Sequence, residues 1–323
     1  MHPPMIAVVG CGAWGKNLVR NFQALEQLAA VVDVDAAARA AARTLVPEAR
    51  VFADVRAVLD DPAITAVALA TPAATHAALC HAALDRGKDV FCEKPLALSY
   101  PDAQRVAERA RDSGRILMVG HILEYHPAIQ AIRAMVERGS LGRVRHLQAS
   151  RLHRAGEGRD DSILWTLAPH DLAVTLRIAG ALPTAVIAHG GAWLRQGAPG
   201  VASIELAFAD GLSAHLYVSC VHHYKEQRLA VVGDRATATF DDVRDELRLH
   251  PGVRAPRDVG AATDGEPVPF APAEPLRLEC AAFLDAMRTR RAPLTDGRSA
   301  VDVLRVAAAA EASIRAEGRP VAP

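Results

Sequence analysis

The stretch that most constrains this chain is Met5-Ile-Ala-Val-Val-Gly10-Cys11-Gly12-Ala13-Trp14-Gly15. It is a short apolar run that ends in Gly-x-Gly-x-x-Gly and opens into a helical pattern carried by Leu18, Val19, Phe22 and Leu25. Gly10 permits a tight turn, Gly12 keeps a Cβ out of the path of a pyrophosphate, and Gly15 lets helix and strand pack closely. A diphosphate on this turn, which Cys11, Ala13 and Trp14 complete, meets free N–H groups and the positive end of a helix. A second apolar run, Leu28 to Asp33, ends in a carboxylate roughly 20 residues beyond the glycines, where an acceptor for the adenosine ribose hydroxyls is expected. A glycine triplet alone also matches chance turns and βαβ turns that bind nothing. Its place after a strand, before a helix and upstream of an acid favours a dinucleotide. The charge of Asp33 repels a 2′-phosphate, so NAD is favoured over NADP.

Residues 5 to 121 alternate strand-like and helix-like patterns. Candidate strands are Ile6–Val9, Ala30–Val34, Arg50–Phe52, Ala66–Ala70, Asp89–Cys92 and Ile116–Gly120, with amphipathic stretches between them. Continuous apolar strands separated by helices indicate a parallel sheet covered on both faces, here an α/β doubly wound dinucleotide fold of Rossmann type. Ligands of such sheets bind at the carboxyl ends of the strands, so the residues just after each strand matter most. After the fourth strand, Thr71-Pro72 makes a stiff turn, and Thr71 or Thr75 is placed to cap the next helix. His76 is either a surface histidine at that helix start or a residue lining the cofactor cleft. After the fifth strand come Glu93-Lys94-Pro95. A Glu-Lys pair is ordinarily solvated, but this one ends a buried strand and precedes proline, which fixes both side chains at the cleft mouth. A lysine held beside a nicotinamide can hydrogen-bond a substrate hydroxyl and stabilise the alkoxide that forms on hydride transfer.

The glycine motif, Thr71-Pro72 with His76, Glu93-Lys94-Pro95 and Val119-Gly120-His121 resemble, in order and spacing, the glucose–fructose oxidoreductase / inositol dehydrogenase / MocA (Gfo/Idh/MocA) family. The resemblance covers the N-terminal domain, residues 1–122, most strongly and extends over 123–323. It implies that Lys94 is catalytic, that Glu93, His121 and the residues near His76 line the NAD site, and that the Lys94–Pro95 bond is cis. Gly120-His-x-x-x-Tyr125-His-Pro127 and Trp165-x-Leu-Ala-Pro-His170-Asp171 look most like the branch acting on nucleotide-linked sugars, including sugar 3-dehydrogenases. That likeness places Tyr125 and Trp165 beside the substrate. His170 matches the catalytic histidine of the family. The family often carries an aspartate four residues earlier, where this chain has Thr166, so either His170 works with Lys94 alone or Asp171 orients it.

A connecting helix, started by His126-Pro127, leads to a strand over Val144–Leu152. The polar segment from Arg151 to Asp161 is either a solvated loop or a substrate loop whose arginines, Arg151 and Arg154, clamp a diphosphate or carboxylate. Short β-like runs follow at Ala185–His189, Ala202–Phe208, Leu212–Ser219, Arg228–Val232, Ala236–Phe240 and Leu247–His250. Strand following strand without helices predicts an antiparallel or mixed sheet in an α+β C-terminal domain. One face is expected to pack on helices and the other to be open and apolar enough to join a second subunit in a homodimer or homotetramer. Adjacent His222 and His223 face opposite ways on a strand, which argues against a metal site there. Two amphipathic helices, Leu276–Thr289 and Ser299–Ala316, are expected to pack on this second sheet.

Thirty-seven basic and thirty-seven acidic residues cancel, so neither nucleic acid nor an anionic membrane surface is implied as a partner. No apolar run approaches the roughly 20 residues of a membrane span. The N-terminus enters the first strand directly, which leaves no room for a signal peptide. Five scattered cysteines without Cys-x-x-Cys suit a reducing cytoplasm. The function expected is an NAD-dependent oxidoreductase acting on a sugar hydroxyl or keto group, most readily of a nucleotide-linked sugar. The alternatives are a free-sugar or inositol-type dehydrogenase, a glycoside hydrolase that keeps its NAD, and a non-catalytic NAD-binding sensor.

Overall fold

The computed structural model describes residues 5–154, 162–191, 199–252 and 264–323. The chain forms two compact units, Met1–Tyr125 with Glu274–Val301, and His126–Ala273 with Asp302–Pro323.

The first unit holds β1 (Ile6–Val9), β2 (Leu28–Val32), β3 (Arg50–Phe52), β4 (Ala66–Leu69), β5 (Asp89–Glu93) and β6 (Leu117–Gly120). They form one parallel sheet in the order β3-β2-β1-β4-β5-β6. The order reverses beside β1, which opens the crevice where such sheets bind ligands. Buried runs of Val, Ile and Ala make β1 and β4 apolar on both faces, as helix-covered strands require. α1 (Gly15–Ala24) turns Leu18, Val19 and Phe22 inward. The side chain of Asp35 accepts from the Ala38 N–H to start α2 (Ala36–Leu45), and Ser99 does the same from Asp102 for α5 (Tyr100–Asp112).

α9 (Pro275–Thr289) belongs to this first unit, which corrects both the expected boundary and the expected partner of that helix. Phe283 meets Phe22 and Phe91 edge to face, with ring centroids 6.5 and 5.8 Å apart. Leu276, Cys280 and Met287 join the same core. An amphipathic stripe says that a helix packs on something; it does not say which sheet. The return is pinned by Arg290, which donates to the Asp89 carboxylate at 2.6 and 3.0 Å, and by the Val119 N–H, which donates to Thr295 O.

The second unit is built on an eight-stranded sheet. Its strands are β7 (Val144–Arg154), β8 (Ala185–Gly191), β9 (Val201–Ala207), β10 (Ser213–Ser219), β11 (Val221–Gly233), β12 (Ala236–Asp241), β13 (Glu246–Pro251) and β14 (Glu266–Pro267). Their order is β14-β13-β12-β11-β7-β10-β9-β8. Only the central β7–β10 pair is parallel; the others are antiparallel. β11 starts seven residues before the predicted Arg228, an extension that the mostly polar Val221–Gln227, with no apolar alternation, did not signal. The inner face carries Leu147, Ala149, Leu216 and Val218 and packs on α8 (Ala168–Ala179). The opposite face is polar, not apolar as expected. It carries a groove of about 720 Å³ lined by residues that include Gln148, Ser150, Arg228, Thr239, Arg248 and His250. Period-two alternation put the polar partners of the buried residues on that side. Among the described residues, no helix is long and apolar enough to cross a membrane.

Candidate active site

At the carboxyl ends of β1, β2, β4, β5 and β6 the first unit gathers most of the residues expected to hold a cofactor. Gly10 has φ +91°, and a Cβ there would come within 2.6 Å of Ala70 O. A Cβ on Gly15 would collide with Gly10 O. Gly12 differs: among the described residues, no atom beyond its own chain neighbours lies within 4 Å of where its Cβ would be. Packing therefore does not demand a glycine at that position, and the open space above the start of α1 fits a diphosphate. The turn is tied to Asp33, the residue expected to accept from the ribose. Asp33 Oδ2 accepts from the Cys11 N–H at 2.7 Å and its Oδ1 from the Asp35 N–H at 2.9 Å. Trp14 Nε1 donates to Glu93 Oε1 at 2.5 Å, so the turn also meets the end of β5. The Glu93 carboxyl fills the space left by the missing side chain of Gly120, where a Cβ would lie 2.9 Å from Oε2. Burial pushes Glu93 up to about 7, against the downward pull of the Trp14 hydrogen bond and the Lys94 charge.

His76 is neither a surface residue nor a wall of the cleft. It is 2% exposed, and its Nδ1 and Nε2 each lie 2.8 Å from a carbonyl oxygen, of Pro95 and Thr71 respectively. It is a strut between the Thr71-Pro72 turn and the residue after Lys94, and burial lowers its pKa. Lys94 is half-buried and the Lys94–Pro95 peptide is cis. Neither threonine caps α4 (His76–Asp85). Instead their hydroxyls lie 2.7 Å apart, and Thr75 Oγ1 donates to Pro72 O. His121 is buried at the end of β6.

Tyr125 lies in the core of the first unit rather than beside a substrate. Its hydroxyl is 3.2 Å from Thr295 Oγ1 and donates to Met118 Sδ, and burial pushes the phenol upward. Sequence reading missed Glu279. It sits on the apolar stripe of α9 with Leu276 and Phe283, fully buried, and both carboxyl oxygens lack a hydrogen-bond partner among the described residues. Burial, then the neighbouring Glu93 and Glu124, raise its pKa. An acid inside an otherwise apolar helix face was the available signal.

In the second unit, β7 carries Arg151 and the first turn of α8 carries His170 and Asp171. Arg151 is 6% exposed and grips Asp171, Nε to Oδ2 at 2.7 Å and Nη2 to Oδ1 at 3.0 Å. This corrects its expected role, since a guanidinium committed to a buried carboxylate does not clamp a substrate anion. Both carboxyl oxygens of Asp171 are thereby committed to Arg151. Arg154 is exposed, with Nη1 3.3 Å from His223 Nδ1. Trp165 is buried in α7 (Ile163–Thr166), and the Thr166 hydroxyl donates to Ser162 O, closing that turn. Arg159, Asp160 and Asp161 lie outside the described residues. No group of three or more His, Cys, Asp or Glu able to hold a metal occurs among the described residues.

The chain is similar to known proteins over both units. Residues 5–121 match the model of an oxidoreductase family with an NAD-binding Rossmann fold, and residues 129–239 match the GFO/IDH/MocA C-terminal domain. The chain is 30% identical over 317 residues to UDP-N-acetylglucosamine 3-dehydrogenase of Acidithiobacillus ferrooxidans, covering 96% of both chains. A crystal structure of that protein superposes with TM-score 0.87 at 28% identity, over 98% of this chain and 99% of that one. Inositol 2-dehydrogenase of Burkholderia multivorans is also 30% identical, over 327 residues, covering 97% of this chain and 93% of its own. With both domain models matched in order along one chain, the protein belongs to the Gfo/Idh/MocA family of NAD-dependent oxidoreductases.

Proposed function

We propose that this chain is an NAD-dependent dehydrogenase of a nucleotide-linked sugar, with Lys94 and His170 as its acid–base residues. The observation that carries the reading is the fixed row of strand ends in the first unit. Lys94 sits there on a turn braced by His76, in the same unit as the open space at Gly12 and the anchored carboxylate of Asp33. NAD, when bound, accepts or returns the hydride of the carbinol carbon. The work left to the chain is orientation and proton handling. Gly10 to Gly15 bind the diphosphate, and Asp33 accepts from the ribose hydroxyls and disfavours a 2′-phosphate. Lys94 hydrogen-bonds the reacting oxygen and stabilises its negative charge. His170 takes the hydroxyl proton on oxidation and returns it on reduction. Thr166, whose hydroxyl proton goes to Ser162 O, supplies no carboxylate, so Lys94 and His170 do the acid–base work.

A second reading, dehydrogenation of a free cyclitol, is favoured by one observation: inositol 2-dehydrogenases share as much identity with the chain as the nucleotide-sugar enzyme does. Both are tested by NADH absorbance on mixing protein and NAD with UDP-, GDP- and TDP-sugars, their uronic acids, myo-inositol and glucose. Absorbance growing with a nucleotide sugar supports the first reading, and growth only with free polyols supports the second. Silence across the panel, with NAD binding confirmed by titration, removes both as oxidation reactions. Whether the chain forms the expected homodimer or homotetramer is checked by light scattering on the purified protein.

A further inference from the structure

The inner face of the second unit's sheet is apolar around Leu147, Ala149, Leu216 and Val218. Two full charges nevertheless meet inside it, Arg151 and Asp171, joined by two parallel N–H···O bonds. A buried ion pair is a weak source of stability, because desolvating both ions offsets most of their attraction; an apolar pair of similar volume often does as well. What an apolar pair lacks is direction. A guanidinium fork on a carboxylate sets the angle between its two carriers as well as their distance.

The far side of Arg151 is also built. Gln227 stands opposite it on β11. With its amide nitrogen turned toward Asp242, it donates to Oδ2 at 2.9 Å and its amide oxygen accepts from Arg151 Nη1 at 3.2 Å. Nε, Nη1 and Nη2 of Arg151 thus each have an acceptor. The Asp242 carboxylate lies 4.0 Å from His126 Nε2, and His126 Nδ1 accepts from the Ala128 N–H to cap α6 (Pro127–Glu137). One polar row therefore crosses the unit from the start of α6 to the start of α8. At the α8 end, His170 immediately precedes Asp171, and its N–H donates to Leu167 O at 3.2 Å within the same turn. Moving Asp171 moves His170.

We infer that Arg151 and Gln227 are positioning residues for His170: acting through Asp171, they set the height and rotation of the first turn of α8 and so present its imidazole. The inference rests on the reading of His170 as the general base. It assigns Arg151 a purpose that substrate recognition does not supply, and it explains why a costly ion pair stands where leucines would pack.

The test is the double variant Arg151→Met with Asp171→Leu, which leaves no orphaned charge. It should fold with the melting temperature and NAD affinity of the wild type. Turnover of UDP-N-acetylglucosamine with NAD should fall about 10²-fold, the scale of a misplacement near 1 Å. The rate at which diethyl pyrocarbonate acylates His170, read by peptide mass spectrometry, should rise several-fold as the imidazole is released. Arg151→Lys keeps the charge without the fork and should show both effects more weakly; it decides the matter if the double variant does not fold. Gln227→Leu should follow with smaller changes. Wild-type turnover or a wild-type acylation rate in a folded double variant overturns the inference. His170→Asn separates the two claims. Undiminished turnover there removes the general-base reading, while the acylation rate in the Arg151 variants still reports whether the row positions the imidazole. If UDP-N-acetylglucosamine is not turned over, the acylation rate alone decides.

Discussion

The two units hold their functional side chains by different means. In the first, several polar groups are held by backbone, although Glu93 also meets Trp14 Nε1 and Asp89 meets Arg290. His76 spans two carbonyls, Asp33 accepts from two N–H groups, and Lys88 Nζ donates to Asp61 O and Ile64 O. In the second, Asp171 is held by another side chain, Arg151, and that one by Gln227. The difference follows from topology. Parallel strands all end on one edge, so loops converge there and carbonyls and N–H groups are at hand. Asp171, on a helix packed against a mixed sheet, meets a side chain from that sheet instead. Backbone partners survive any single substitution nearby, whereas side-chain partners vanish with one. The first arrangement is robust, and the second is open to retuning.

The sharpest way to break this comparison is Lys94→Ala. Turnover should fall about 10²-fold or more, the usual worth of a positioned acid or base, while NAD binding by titration stays close to wild type because the anchors of the turn are elsewhere. Turnover close to the wild-type rate would take Lys94 out of the chemistry. Next is a pair of glycine variants. Gly15→Ala forces a methyl group into Gly10 O and should lower the melting temperature and NAD affinity together. Gly12→Ala meets no atom of the described residues within 4 Å beyond its chain neighbours and should lower NAD affinity about tenfold or more, roughly 1.4 kcal/mol, at an unchanged melting temperature. Equal thermal losses in both would mean that the space at Gly12 is structural.

His76→Leu should reduce turnover more than it weakens NAD binding, since the strut joins Pro95, next to Lys94, to Thr71, and neither belongs to the glycine turn. Steady-state kinetics set against NAD titration measure the split. The smallest expected effect concerns Glu93. Burial raises its folded pKa to about 7 from 4.5, so the folded state keeps its proton over a range where the unfolded chain has lost it. Stability on this account falls as pH rises from 4.5 to about 7 and is level above. Urea melts of Glu93→Gln and wild type at pH 5 and pH 8 should differ more at pH 8, in favour of the variant. A difference independent of pH would mean that Glu93 does not titrate in that window.

The same contrast explains what could be read in the sequence. The parallel sheet was legible strand by strand, because buried strands are continuous apolar runs and the glycine motif fixes the first of them. The strand-end positions of Gly12, Asp33 and Lys94 followed from that. The partners of individual side chains did not. That His76 would turn inward, that Tyr125 would enter the core and that Arg151 would be spent on Asp171 depend on contacts between residues far apart in sequence. No local period encodes those contacts. The first seven residues of β11, mostly polar, were missed for the opposite reason, since Val221, Glu226 and Gln227 pair with β7 without an alternating pattern of their own. Glu279 could have been noticed as an acid among Leu276, Cys280 and Phe283, but its nearness to Glu93 and Glu124 could not.

The return of α9 to the first unit bears on how the chain is made. Phe22 and Phe91 are finished by Phe283, which leaves the ribosome some 190 residues after Phe91, with the whole second sheet in between. Synthesis at roughly 5–20 residues per second leaves that aromatic face incomplete for about ten seconds or more. The nucleotide-binding unit is therefore begun before the second sheet and completed after it. A nascent chain halted after Tyr125 would present two bare phenylalanine rings to the chaperones that wait at the exit tunnel.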